Sequence, residues 1–375
     1  MVSLSSLLVG AASTGVSLLA DAPAGRMPAG HNGPWNDDVT PLRNTGHWST
    51  LFFEAYDRTG DERYREAAVD CVEYLCRDAA RPEGYTFHHR DEPGKDRCNG
   101  LVGQGWSIEA LAIADRYLDS DTPRAVAEEV FCLHPVDAET GLWRTVEVDG
   151  TVGSSFGIVN QQLWFAAAGS LLCRDGGAPE VRRRVSRFLD GLSDLVRTYH
   201  GGLVYHGGYP YGDAQFLGQR VGSRLWGNAD RLEVLARGYH SFNLYALAIL
   251  KRSFPDHPVW SSDLVETLLA PVESVPYRNG VADNVYAFGY NPTGFEVAFA
   301  LEVFRDETDT FWVDEQFRRC YDPATGLLSE GWDPETLSAR LYQATRLADR
   351  EVSLAGSGAT GDAGSGRAAR LFGRR

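Results

Sequence analysis

Residues 47–75 read HWSTLFFEAYDRTGDERYREAAVDCVEYL, and their spacing predicts two helices folded back on each other. Apolar residues recur three and four apart over 47–56 and again over 64–75, the period of a helix with one buried face. Between them Thr59-Gly60-Asp61 supplies a glycine stop for the first helix and an aspartate cap for the second. Similar short joints at 119–123, 175–179, 255–258 and 306–309 read as tight turns between paired helices.

A second signal marks the other end of each pair. Gly25-Arg-Met, Gly84-Tyr-Thr, Gly141-Leu-Trp, Gly202-Leu-Val and Gly326-Leu-Leu stand at intervals of roughly sixty residues or a double step, as a repeat architecture requires. The missing member is expected near Pro276 to Gly280, where the pattern is degraded. Six such units fill the chain, so the expected fold is all-α: an (α/α)6 toroid of helical hairpins with short turn and strand pieces in its loops. No linker divides residues 1–350, which are expected to form one domain, whereas 351–375 read as a disordered Gly/Ser/Ala/Arg tail.

In a closed ring of hairpins every second connection lies on the same rim. The long connections, 31–44, 88–99, 149–160, 206–239, 278–292 and 329–334, therefore gather at one mouth, and function on a rigid scaffold sits in such loops. Each feeds an inner helix, so helix N-termini with free N–H groups are expected there, favouring an anionic ligand such as a uronate or a sugar phosphate.

Composition narrows the ligand class. The formal net charge is −15, and only two of 36 basic residues are lysines, Lys95 and Lys251. That surface repels nucleic acid and suits a protein kept soluble in a salt-rich cytoplasm. Hydrophobic residues at 43%, with nine Trp, supply both a core and stacking platforms for sugars. Six scattered cysteines without a CxxC pair indicate neither zinc nor a disulfide framework. The first twenty residues are apolar, but no basic residue precedes them and Gly10, Ser13, Thr14 and Gly15 interrupt them, so a packed first helix is expected rather than a leader. No stretch is long and apolar enough to span a membrane. The absence of GxGxxG after a strand, a Walker loop, HExxH or a nucleophile elbow disfavours nucleotide and zincin chemistry; no cofactor or metal is expected. Nothing in the sequence implies a particular oligomeric state.

The densest functional cluster runs from His31 to Trp48. It offers Asp37, Asp38 and His31 for acid–base work, Arg43 for a carboxylate or phosphate, His47 for substrate contact, and Trp35 and Trp48 for stacking. In His88-His89-Arg90-Asp91 the adjacent imidazoles of an extended segment point to opposite sides, so His89 is expected to meet a sugar rather than a metal. Gln104 and Ser107 share a face of the helix that follows, with Glu109 deeper as a structural or catalytic carboxylate. Asn160 and Trp164 share a face of the third inner helix, an amide beside an indole plane as sugar sites use. His240 and Asn243, with Tyr239, open the fourth. The connection before them, with Tyr209, Tyr211, Asp213, Arg224, Trp226 and Asp230, is a candidate lid. Tyr290 and a capping Asn291 enter the fifth, and Asp283 is the preferred partner for Asp37 or Asp38. Glycoside hydrolysis commonly uses two carboxyls about 5 Å apart for retention or about 6.5–9.5 Å for inversion.

The stretches His31-Asn-Gly-Pro-Trp35, Thr40-Pro-Leu-Arg-Asn-Thr-Gly-His-Trp48 and Asn99-Gly-Leu-Val-Gly-Gln-Gly-Trp-Ser-Ile-Glu-Ala-Leu111 resemble the haloarchaeal AglQ family, over nearly all of residues 1–350. The last is also similar to helices of other six-hairpin glycosidases. The resemblance implies an (α/α)6 fold, a cytoplasmic setting, and a part in building or processing a uronate-containing glycan for protein N-glycosylation. The expected partner is a saccharide or lipid-linked glycan. Hydrolase-type chemistry leads the expectation, with sugar isomerisation or epimerisation and non-catalytic glycan binding as alternatives.

Overall fold

The computed structural model describes residues 1–155, 158–206 and 229–354. Its helices are α1 (Leu4–Ala20), α2 (Leu42–Thr59), α3 (Glu62–Cys76), α4 (Gly100–Ala114), α5 (Thr122–Leu133), α6 (Val159–Leu171), α7 (Pro179–Asp190), α8 (Leu192–Leu195), α9 (Ala229–Ser253), α10 (Asp263–Leu269), α11 (Val275–Ala282), α12 (Thr293–Arg305), α13 (Thr310–Cys320) and α14 (Pro334–Ala339). A 3-10 segment, Arg340–Arg346, continues α14. Among the described residues no helix is long and apolar enough to cross a membrane.

The inner ring is α2, α4, α6, α9, α12 and the segment 334–346; each packs on the next, and the last packs back on α2. This arrangement explains the composition of its members: every residue of α4 is buried, and a helix apolar all round is stable only when enclosed. The outer layer keeps one apolar stripe per helix, as in α7, where Val181, Val185, Phe188 and Leu189 are buried and Arg182, Arg183 and Arg187 are exposed. The helical joints predicted from 59–61 hold: Gly60 ends α2 with φ 68° and Asp61 caps α3 through the Arg63 N–H.

The sixth hairpin is assembled from both chain ends. Helix α1 packs on α2, α3 and the segment 340–346, and the strand Val2–Ser3 pairs antiparallel with the strand Glu351–Val352. Residues 351–352, grouped with the tail from sequence, thus belong to the paired structure, while 355–375 lie outside the described residues.

All five glycine marks have left-handed backbones, from φ 71° at Gly141 to 92° at Gly202. Gly141, Gly202 and Gly326 each turn a small antiparallel pairing: Val136 with Trp143, Thr198 with Val204, and Tyr321–Asp322 with Leu327–Leu328. At the degraded fifth position the chain forms α11 instead, and Gly280 lies inside it.

Candidate active site

The loop before α2 folds tightly because Asn32, Gly33 and Asn36 take left-handed conformations with φ 61°, 58° and 49°. The turn aims Asp37 inward, 2% exposed. Its carboxylate accepts from Asn32 Nδ2 (3.0 Å) and Arg90 Nη1 (3.2 Å) and pairs with Lys95 Nζ. Arg90 reaches across to Asp96 through Nη2 (2.6 Å), and Asp96 accepts the Gly100 N–H at the start of α4. A Val39–Arg90 bridge fastens the first long connection to the second.

These residues face a cavity of about 250 Å³ at the mouth of the ring. Among the described residues its wall carries four cations, Arg43, Arg90, Lys95 and Arg340, against two carboxylates, Asp37 and Asp96. Arg340 is engaged by Glu296 (2.7 Å), Asn291 Oδ1 (2.7 Å) and the Tyr290 carbonyl (3.1 Å). Arg43 differs. Its guanidinium lies 4.0 Å from the centroid of Trp106, Nη1 donates to Asn32 Oδ1 (3.1 Å), and Nε has no hydrogen-bond partner among the described residues. Burial lowers its pKa, the unpaired charge being held away from water. Trp35, Tyr239, Phe242 and Tyr290 supply aromatic walls; Asn160, 8% exposed, lines the cavity with Oδ1 unpartnered.

The sequence-derived candidates therefore divide. Asp37, Arg43, Asn160 and Tyr290 line the cavity together. Asp38 and Asp283 are exposed and are not among the lining residues, so the pairing expected with Asp283 does not form across this cavity. The physical reasons are local: Asp38 follows Asp37 in an extended segment and points the other way, and Asp283 ends α11 toward solvent. His31 is half-buried, with Nδ1 unpartnered, outside the lining.

Six further candidates serve the scaffold. Trp48 packs on Phe52, and Trp164 stacks on Phe242 while its indole N–H donates to the Phe242 carbonyl. Gln104 braces the backbone of Phe87 and Cys98. His240 accepts the Val204 N–H and pairs with the Leu268 carbonyl. His47 stacks on Tyr342, 4.3 Å between centroids. His89 meets Ser107 and the edge of Trp106, and burial pushes its pKa down to about 3. Asn243 is buried with Oδ1 unpartnered, outside the lining. Glu109 is structural, held by Tyr342 and Arg346. Asn291 is no cap; it ties Gly238, Tyr286 and Arg340 together. Tyr209, Tyr211, Asp213, Arg224 and Trp226 lie outside the described residues.

Sequence reasoning passed over Asn32, Arg90, Lys95, Trp106 and Arg340. Two had a signal: Asn before Gly-Pro implies a left-handed turn, and Lys95 is one of only two lysines in the chain. The expected free N–H groups are also occupied at α4, where Asp96 takes Gly100 N and Gln161 takes Val102 N. The positive charge at this mouth is therefore carried by side chains, Arg43, Arg90, Lys95 and Arg340 among them.

No family model matches the chain. It is 45% identical over 374 residues to archaeal glycosylation protein Q of Haloferax volcanii, an alignment that covers 94% of this chain and all of that protein. Among solved structures it is similar to a D-mannose isomerase (TM-score 0.63, 13% identity, 92% of this chain and 96% of that one). It is also similar to an alpha-1,6-mannanase from a Salegentibacter species (TM-score 0.59, 11% identity, 92% and 98%). An unsaturated glucuronyl hydrolase from a Bacillus species gives a TM-score of 0.57 at 17% identity, covering 90% and 94%. At these identities the likeness establishes the (α/α)6 fold.

Proposed function

Because this chain belongs to the archaeal glycosylation protein Q family, we propose that it is a cytoplasmic carbohydrate-active enzyme that processes a hexuronate-containing glycan or lipid-linked glycan precursor. One observation carries the substrate class: Arg43 is buried on the cavity wall without a carboxylate partner among the described residues. A lone buried cation is costly, and a ligand carboxylate meeting its planar fork relieves that cost with paired hydrogen bonds. Trp35 and Tyr239 offer faces for the sugar ring, and Asn160 an amide for its hydroxyls.

The reaction proposed is of glycoside-hydrolase type, with Asp37 as the reacting carboxylate. Three donors converge on it, the arrangement of a base or nucleophile rather than of a proton donor. Incubation with lipid-linked glycan intermediates is expected to yield a new reducing end. Asp37→Asn is expected to lower turnover about 100-fold or more, while Asp283→Asn, at an exposed position, keeps it; full turnover by Asp37→Asn removes this role. A second reading, isomerisation or epimerisation, is favoured by His206 on the wall, which burial keeps neutral by lowering its pKa to about 4. Solvent deuterium in recovered sugar supports that reading. The absence of any product leaves glycan binding alone.

A further inference from the structure

The side chain of Asn32, 7% exposed, touches three cavity residues at once. Its Oδ1 accepts from Arg43 Nη1 (3.1 Å) and the Tyr290 hydroxyl (3.0 Å), and its Nδ2 donates to Asp37 Oδ2 (3.0 Å). The partners fix the amide orientation, since a flip would set its oxygen against a carboxylate and its NH2 against a guanidinium. An aspartate would lose the donor to Asp37, and an alanine both functions.

The Asn32 backbone is secured separately. Asp333 Oδ2 accepts from the N–H groups of His31 (2.9 Å) and Gly33 (3.1 Å), and its Oδ1 from Thr336 N (3.1 Å) at the start of α14. Burial alone would raise the pKa of Asp333; these N–H donors, with the charge of Arg43, outweigh it and hold it low. The loop is thus fastened to the last hairpin whatever side chain stands at position 32.

We infer that Asn32 is a positioning residue: it sets the spacing and orientation of the anion anchor, Arg43, relative to the reacting carboxylate, Asp37. This rests on the proposed roles of those two residues. A displacement of about 1 Å between anchor and reacting group is enough to cost on the order of 100-fold in rate.

Asn32→Gly is the informative variant, because glycine accepts the φ of 61° found there. Its thermal midpoint should stay within a few degrees of wild type. Glucuronate, titrated by calorimetry, should bind about 10-fold more weakly and kcat should fall about 100-fold. Combined with Arg43→Lys, the loss of affinity should be smaller than the product of the single losses, because Asn32 acts through Arg43. Wild-type affinity and kcat in Asn32→Gly, or losses that simply multiply, would overturn the inference. A wild type that binds no glucuronate removes the acidic-sugar reading instead. Phenylglyoxal labelling of Arg43, followed by peptide mass, then decides: several-fold faster labelling in Asn32→Gly supports positioning, and an equal rate refutes it.

Discussion

Arg43 sits where a fold optimised only for stability would put a methionine. It is 6% exposed, has no carboxylate partner among the described residues, and is compensated by the face of Trp106 and the side-chain amide oxygen of Asn32. Replacing a poorly paired buried charge by an apolar side chain of similar length is commonly neutral or stabilising by about 1–4 kcal/mol. Arg43→Met is therefore expected to raise the urea midpoint while glucuronate binding disappears; a clear loss of stability would show that the cation is satisfied without ligand. The residue was legible from sequence because an arginine two positions after Thr40-Pro41 stood at the opening of an inner helix. Asp37 was legible for its loop. Trp48 and Trp164 misled because the inner helices are enclosed on every side: spacing shows which residues share a face, and cannot show which face borders the cavity. Arg340 belongs to the last inner segment, where no motif marked it.

Between residues and ring stand the joints, and there His240 has a defined task. It is fully buried, accepts the Val204 N–H (3.2 Å) and faces the Leu268 carbonyl (2.8 Å), so it ties the Gly202 turn to α9 and α10. Both contacts hold only for the neutral ring with its proton on Nε2, because protonating Nδ1 sets two N–H groups against each other. Burial lowers its pKa from 6.5 to about 4. Below pH 6.5 the unfolded chain binds a proton that the folded chain refuses, so stability falls as pH falls, by about 1.4 kcal/mol per unit, until roughly pH 4. Urea unfolding between pH 7 and pH 4.5 should show this contribution added to those of the other buried histidines, so the slope should be shallower by about 1.4 kcal/mol per unit in His240→Gln; an unchanged slope in that variant would assign the effect to other groups. The first hairpin was legible because period, glycine stop and aspartate cap agree there, Gly60 ending α2 and Asp61 capping α3. The fifth glycine mark was not, because that connection forms α11 in place of a strand turn.

Ring closure belongs to the molecule as a whole, since the sixth hairpin draws on both ends of the chain. The Leu4 N–H donates to the Arg350 carbonyl (2.8 Å), Ser5 N to Asp349 Oδ1 (2.8 Å), and the Thr14 hydroxyl to the Thr325 carbonyl (2.8 Å), all along α1. Two glycines of that helix separate local propensity from closure. Gly10 is exposed, and a Cβ there meets nothing within 4 Å. Gly15 is buried against the inner ring, where a Cβ would collide with the Trp48 ring and lie 2.9 Å from Phe52. Alanine is the better helix former by about 0.8–1.0 kcal/mol, so propensity alone predicts that both alanine variants gain stability. Close packing predicts opposite signs. Gly10→Ala should gain about 0.5–1 kcal/mol, whereas Gly15→Ala should lose about 1–3 kcal/mol, because α1 must retreat from α2 or the aromatic rings must leave their rotamers. Because Trp48 is on α2, one turn beyond Arg43, that retreat should also weaken glucuronate binding in Gly15→Ala and leave Gly10→Ala unaffected. Equal gains in the two thermal midpoints would show that the first helix is not clamped against the ring and that closure does not depend on it.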